Sequence, residues 1–193
     1  MRFEGKVALI TACASGIGRA TADIMAKEGA TVVGVDNNAE RLEQTVKALE
    51  AAGGRAQGAL CNALVAAEVG PVVDGIARQF GRIDILVNAV GGSTIIPRPS
   101  ATVEELGLSD WKAIIDFNLD GTFLFTHAVV PVMKRQRSGK IVNLSSIAGR
   151  GRSAASSAAY AAAKAASSPS PRSSPTSLAL TASTSTQSRR APH

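Results

Sequence analysis

Lys6-Val7-Ala8-Leu9-Ile10-Thr11 runs into Ala12-Cys13-Ala14-Ser15-Gly16-Ile17-Gly18-Arg19, and these fourteen residues decide how the rest is read. The first six are rich in Val, Leu and Ile and read as a buried strand. The next seven hold two glycines, and helical spacing follows at once, over Ile17–Glu28. Glycines in such a turn let backbone approach a pyrophosphate, and the helix start offers free N–H groups and a positive dipole end. The turn alone is weak evidence for a nucleotide site. Asp36 strengthens it, closing a second apolar run 18 residues beyond Gly18. An acid at that point can accept hydrogen bonds from an adenosine ribose. It also repels a 2′-phosphate, which favours NAD over NADP.

Outward from this turn, apolar runs recur at Thr31–Val35, Ile83–Val87 and Lys140–Leu144, with a weaker one at Gln57–Leu60. Between them lie helical patterns over Ala39–Ala52, Ala63–Gln79 and Ser109–Arg137. Strands alternating with helices predict an α/β fold, a doubly wound parallel sheet covered on both faces. At 193 residues the chain suits one domain or slightly more, and chains of this size bury roughly 70% of their unfolded surface.

Composition narrows the function. No run reaches the ~18 apolar residues of a membrane span, and Met1–Lys6 lacks the apolar core of a secretion signal. Cys13 and Cys61 alone make neither a disulfide framework nor a zinc site. A cytoplasmic, metal-free protein is expected. The net charge of +6 is uneven: residues 1–120 hold 11 basic and all 15 acidic residues, whereas 121–193 hold 10 basic residues and no acid. Those bases are dispersed, with no aromatic after Tyr160, which argues against nucleic-acid binding.

Several stretches, in order, resemble the short-chain dehydrogenases/reductases over Lys6 to about Ala165. Thr11–Gly18 is similar to the family's T-G-x-x-x-G-x-G turn, Asn88-Ala89-Val90-Gly91 to its N-N-A-G, and Tyr160-Ala161-Ala162-Ala163-Lys164 to its Y-x-x-x-K. The nearest likeness is to 3-oxoacyl-carrier-protein reductases and related alcohol dehydrogenases. The resemblance implies a Rossmann-like sheet, a nicotinamide cofactor, a small carbonyl or alcohol substrate and, for intact members, homo-oligomers. It implies cofactor contacts from Thr11, Ser15, Gly16, Ile17, Gly18, Asp36, Asn62, Asn88, Ala89, Gly91, Tyr160 and Lys164. It assigns Asn118, Ser146, Tyr160 and Lys164 to catalysis, with Ser145 the alternative serine.

The chemistry is intelligible from the residues. Hydride transfer at a carbinol carbon requires a proton to move on its oxygen. Tyrosine ordinarily titrates near ~10, too high for a base at neutral pH. A lysine four residues on shares its helix face, and its charge favours the ionised phenol. Three departures stand out: Ala12 replaces the turn's first glycine, Ala89 replaces the second asparagine, and Asn62 stands where an aspartate contacts adenine.

The segment 165–193 has another composition, with 9 Ser, 4 Thr, 4 Pro and 5 Ala but only Leu178 and Leu180 as large aliphatics. It is expected to be a disordered tail to a domain spanning 1–164, because it cannot bury enough surface to offset its ordering entropy. Shifting the codons by one base from Ala165 permits Gly-Val-Ile-Ala-Phe-Thr over residues 166–171. Over 181–190 the same shift permits Gly-Ile-x-Val-Asn-Ala-Val-Ala-Pro-Gly. Both resemble the family's continuation, so a one-base frameshift is inferred, with the last strands and substrate lid missing. Two functions follow: an NAD(P)-dependent oxidoreductase, or a catalytically dead nucleotide-binding fragment.

Overall fold

A computed structural model describes residues 1–151, 156–167 and 179–184. Strands β1 (Val7–Thr11), β2 (Thr31–Asp36), β3 (Arg55–Leu60), β4 (Ile85–Asn88), β5 (Lys140–Ser146) and β6 (Ala179–Thr184) form one sheet, in the order β3-β2-β1-β4-β5-β6. Every pairing is parallel. Helices α1 (Gly16–Lys27), α2 (Ala39–Ala51), α3 (Ala66–Phe80), α4 (Leu108–Ile115), α5 (Gly121–Arg135) and α6 (Ala158–Ala166) complete the layers. This is the expected Rossmann-like, doubly wound architecture.

Alternation along β1 shows how both faces become core. Val7 and Leu9 join Val69, Val73, Phe125 and Val129 of α3 and α5. Ala8 and Ile10 join Ala22, Ala26, Leu42 and Leu49 of α1 and α2. The chain leaves β1 towards β2 on one side and returns to pair β4 on the other, so the strand order reverses between β1 and β4. A crevice at the carboxyl ends of the strands opens at such a switch point.

The helical pattern over Ser109–Arg137 is interrupted. Asp116–Asp120 form one π turn between α4 and α5, a geometry frequent at functional sites. Pattern reading misses it because apolar spacing on either side still fits a helix. The pattern from Ala63 also starts early, since Asn62–Val65 form a turn before α3.

The tail departs from expectation at nine described residues. Ala165 and Ala166 belong to α6 and Ser167 caps it. Ala179–Thr184 lie extended beside β5, from Ile141↔Ala179 to Ser146↔Thr184. A parallel ladder joins backbone to backbone, and the open edge of β5 offers unpaired N–H and C=O groups regardless of side chain. Residues 168–178 and 185–193, the rest of the tail, lie outside the described residues. No strand follows β6, and no helix is long and apolar enough to cross a membrane, among the described residues.

Candidate active site

The turn after β1 is held in a strained shape. Ala12 has φ +49°, in the left-handed region that an L-residue enters at about 1–2 kcal/mol. This is the cost implied by losing glycine there. Gly18 has a different reason to be glycine: an added Cβ would overlap the Ala12 carbonyl oxygen and lie 2.9 Å from that of Thr11. Ser15 precedes α1 in extended conformation and makes no side-chain cap, so the first-turn N–H groups of Gly16, Ile17 and Gly18 carry no hydroxyl cap.

Asp36, at the end of β2, accepts hydrogen bonds from Ala14 N–H and Asn38 N–H, both at 3.0 Å. The acid therefore ties the turn to the second strand. Cys13 is buried between them, and burial, then Asp36, push its thiol up to about 12, which leaves it protonated and inert. Asn62 accepts from Leu64 N–H at 3.0 Å, shaping the turn after β3.

Thr11 works across the crevice. Its hydroxyl accepts from Ala89 N–H at 2.9 Å and Val90 N–H at 3.3 Å, clamping the loop after β4. Asn88 lies inside the sheet and donates to Asn143 Oδ1 at 2.9 Å and Thr126 Oγ1 at 3.1 Å. Sequence reading passed over Asn143 and Thr126. A polar residue within an apolar run is the one signal that could have found Asn143.

The loop then turns through Gly91 (φ +143°) and Gly92. Asn118, fully buried in the π turn, holds this loop from both sides. It accepts from Gly92 N–H and donates to the carbonyls of Gly92 and Ile114, all at 2.9 Å. A Cβ on Gly91 would lie 2.7 Å from Asn118 Oδ1 and 2.9 Å from Lys164 Nζ. Gly91, Asn118 and Lys164 therefore meet at one point.

Lys164 reaches that point from α6. Ser157 caps the helix by accepting from Tyr160 N–H at 3.4 Å. One turn later Lys164 Nζ donates to the Leu144 carbonyl at 3.0 Å and lies 5.8 Å from the centre of the Tyr160 ring. Burial lowers the lysine from 10.5 to about 8. Tyr160 is half-buried and packs against Ile96, Ile114 and Ala159. Ser146, at the end of β5, accepts from Ala148 N–H at 3.2 Å. Ser145 points elsewhere, donating to the Lys164 carbonyl at 3.0 Å.

A family model for the short chain dehydrogenases matches residues 6–172. The chain belongs to the short chain dehydrogenase family. It is 44% identical over 149 residues to a 3-oxoacyl-(acyl-carrier-protein) reductase of Thermotoga maritima, covering 77% of this chain and 58% of that one. It is 44% identical over 147 residues to D-threitol dehydrogenase of Mycolicibacterium smegmatis, covering 76% and 55%. The chain thus spans little more than half the length of these curated relatives. Among solved structures, an NAD+-bound xylitol dehydrogenase superposes with a TM-score of 0.79 at 32% identity, covering 86% of this chain and 62% of that one. A metagenomic short-chain oxidoreductase in complex with NADP gives 0.77 at 31% identity, covering 85% and 72%.

For a short chain dehydrogenase the local geometry fits a dinucleotide. The turn before α1 is free of side-chain caps, Gly18 seats it directly over β1, and the bare Cα of Gly91 lets the Lys164 ammonium approach the loop after β4.

Proposed function

We propose that this chain is an oxidoreductase that moves a hydride between NAD(H) and the carbonyl or alcohol carbon of a small molecule. The observation that carries the reading is the meeting of Lys164, Asn118 and Gly91, with Tyr160 one turn away on the same helix. The nicotinamide supplies or accepts the hydride. The first-turn N–H groups of α1 would hold the pyrophosphate, and the Asp36 carboxylate, held by Ala14 and Asn38, has lone pairs left to accept from a ribose hydroxyl. That carboxylate would sit against a 2′-phosphate, so NAD is preferred over NADP.

Tyr160 gives its phenolic proton to the substrate oxygen, or takes it back in the reverse direction. Ser146 orients that oxygen. Lys164 stabilises the phenolate, and its exclusion from water strengthens that field. Asn118 acts through the loop it grips, since its amide is bonded on both sides.

Titration of intrinsic fluorescence with NADH and NADPH tests the cofactor assignment. NADH should bind more tightly, and Asp36→Ala should narrow the gap; tighter NADPH binding would overturn it. The inferred frameshift is tested beside it, by expressing the chain with and without the frame restored from Ala165. Turnover of simple ketones and alcohols only in the restored chain supports a shifted frame.

A further inference from the structure

Two consecutive residues of β5 grip the same residue of α6 at both of its ends. The Leu144 carbonyl accepts from the Lys164 ammonium at 3.0 Å, while the Ser145 hydroxyl donates to the Lys164 carbonyl at 3.0 Å. That carbonyl is among the last four of α6, which a helix leaves without an internal partner. Four residues beyond Ser145, Gly149 presses on the same spot. A Cβ there would lie 2.6 Å from Lys164 C and 2.6 Å from Ala165 N, both backbone atoms with no side-chain freedom to yield. The short 3-10 turn Ile147–Arg150 carries Gly149 into this contact, and Ser146 starts that turn by capping it.

We propose that Ser145 and Gly149 form a seat that fixes the register of α6 on β5, making Ser145 a positioning residue for Lys164. The placement stands on geometry alone, whereas its value to hydride transfer rests on the oxidoreductase reading above. A helix free to slide along β5 by a fraction of a turn would carry the ammonium away from Leu144 and Gly91 together. Ser145 also leaves Ser146 as the serine that faces substrate, because its own hydroxyl is spent on the helix.

The surroundings of the ammonium make the seat measurable. Leu144 from β5, Gly91 from the loop after β4, Asn118 from the π turn and the Tyr160 ring surround Lys164 Nζ. Burial sets its low titration. Loosening the seat admits water, and the lysine should recover its ordinary behaviour.

The test labels the lysines with 13C and follows Lys164 by NMR against pH in the cofactor-free protein, with Lys164→Arg assigning the resonance. In Ser145→Ala the midpoint should climb from about 8 by one pH unit or more, and Ser145→Thr, which keeps the hydroxyl, should restore it. Gly149→Ala should move the midpoint in the same direction with Ser145 intact. If Ser145→Ala does not fold, Ser145→Cys, of similar volume with a weaker donor, takes its place. A lysine that titrates as in the parent, in folded Ser145→Ala or Ser145→Cys, overturns the proposal even if thermal stability falls. NADH affinity measured on the same samples separates the two readings. A parent that binds no NADH refutes the oxidoreductase assignment, while the titration still reports on the seat.

Discussion

Lys164 converts burial into a pH dependence of stability. The residue exposes 5% of its surface, and burial lowers its pKa from 10.5 to about 8. Unfolding returns it to the ordinary lysine value. Below pH 8 both states carry the proton, and the folded state bears the whole desolvation cost, on the order of 3 kcal/mol. Between about pH 8 and 10.5 the folded lysine is deprotonated before the unfolded one. The unfolded state then binds more protons, so stability rises with pH. Roughly 2.5 kcal/mol of the cost disappears from pH 7 to pH 10. Lys164→Met keeps most of the length and removes the titration. Urea unfolding of both proteins at pH 7, 8, 9 and 10 gives a difference in which other alkaline groups cancel. That difference should move in the parent's favour by about 2–2.5 kcal/mol across the range. A difference flat to within ~0.5 kcal/mol, about a fifth of the expected change, would refute the burial argument.

Three other substitutions test the turn and the acid. Gly18→Ala drives a methyl into the Ala12 carbonyl, and should cost about 1–3 kcal/mol in denaturant unfolding and weaken NADH binding; unchanged stability would mean the turn yields freely. Ala12→Gly relieves about 1–2 kcal/mol of left-handed strain against the ~0.5–1 kcal/mol entropic cost of glycine, so the melting temperature should rise by about 1–3 °C; a fall would show that the turn is not strained. Tyr160→Phe leaves the ring packed on Ile96 and Ile114 and should lower turnover of a frame-restored chain by more than ~10⁴-fold, the upper end for general acid–base loss, with NADH affinity kept. Near-normal turnover would place the acid elsewhere.

The sheet was legible because a parallel strand buried on both faces must be apolar throughout. Val7–Thr11 and Thr31–Asp36 match their apolar runs to within one residue. Arg55–Leu60 was the faint one, since the outermost strand on that side pairs only with β2 and carries Arg55 and Gln57. Tyr160 and Lys164 were legible from a spacing that a helix converts into proximity. The Thr11 clamp on Ala89 and Val90 was not, because a single hydroxyl joins the end of β1 to loop residues 78 and 79 positions further along the chain. Nor was β6 legible: composition reports what side chains can bury, and its pairing with β5 is made by main-chain groups.

The π turn at Asp116–Asp120 stores part of the site in a residue count. Its wider loops accommodate one residue more than the α-helix would use. Deleting a single position there would let the ladder close as ordinary helix, and because the wide turn had absorbed the extra residue, α4 and α5 would keep most of their phase while the side chains inside the turn are re-aimed. Ile114, fully buried in α4, would keep its place in the cluster it shares with Ile96 and Ala159, whereas Asn118, inside the turn, would lose its aim at Gly92. Point substitutions on the exposed faces of this helix leave the wide turn in place, whereas the loss of one residue removes it. Chain length between α4 and α5 therefore sets the aim of Asn118, which side-chain identity on their exposed faces does not.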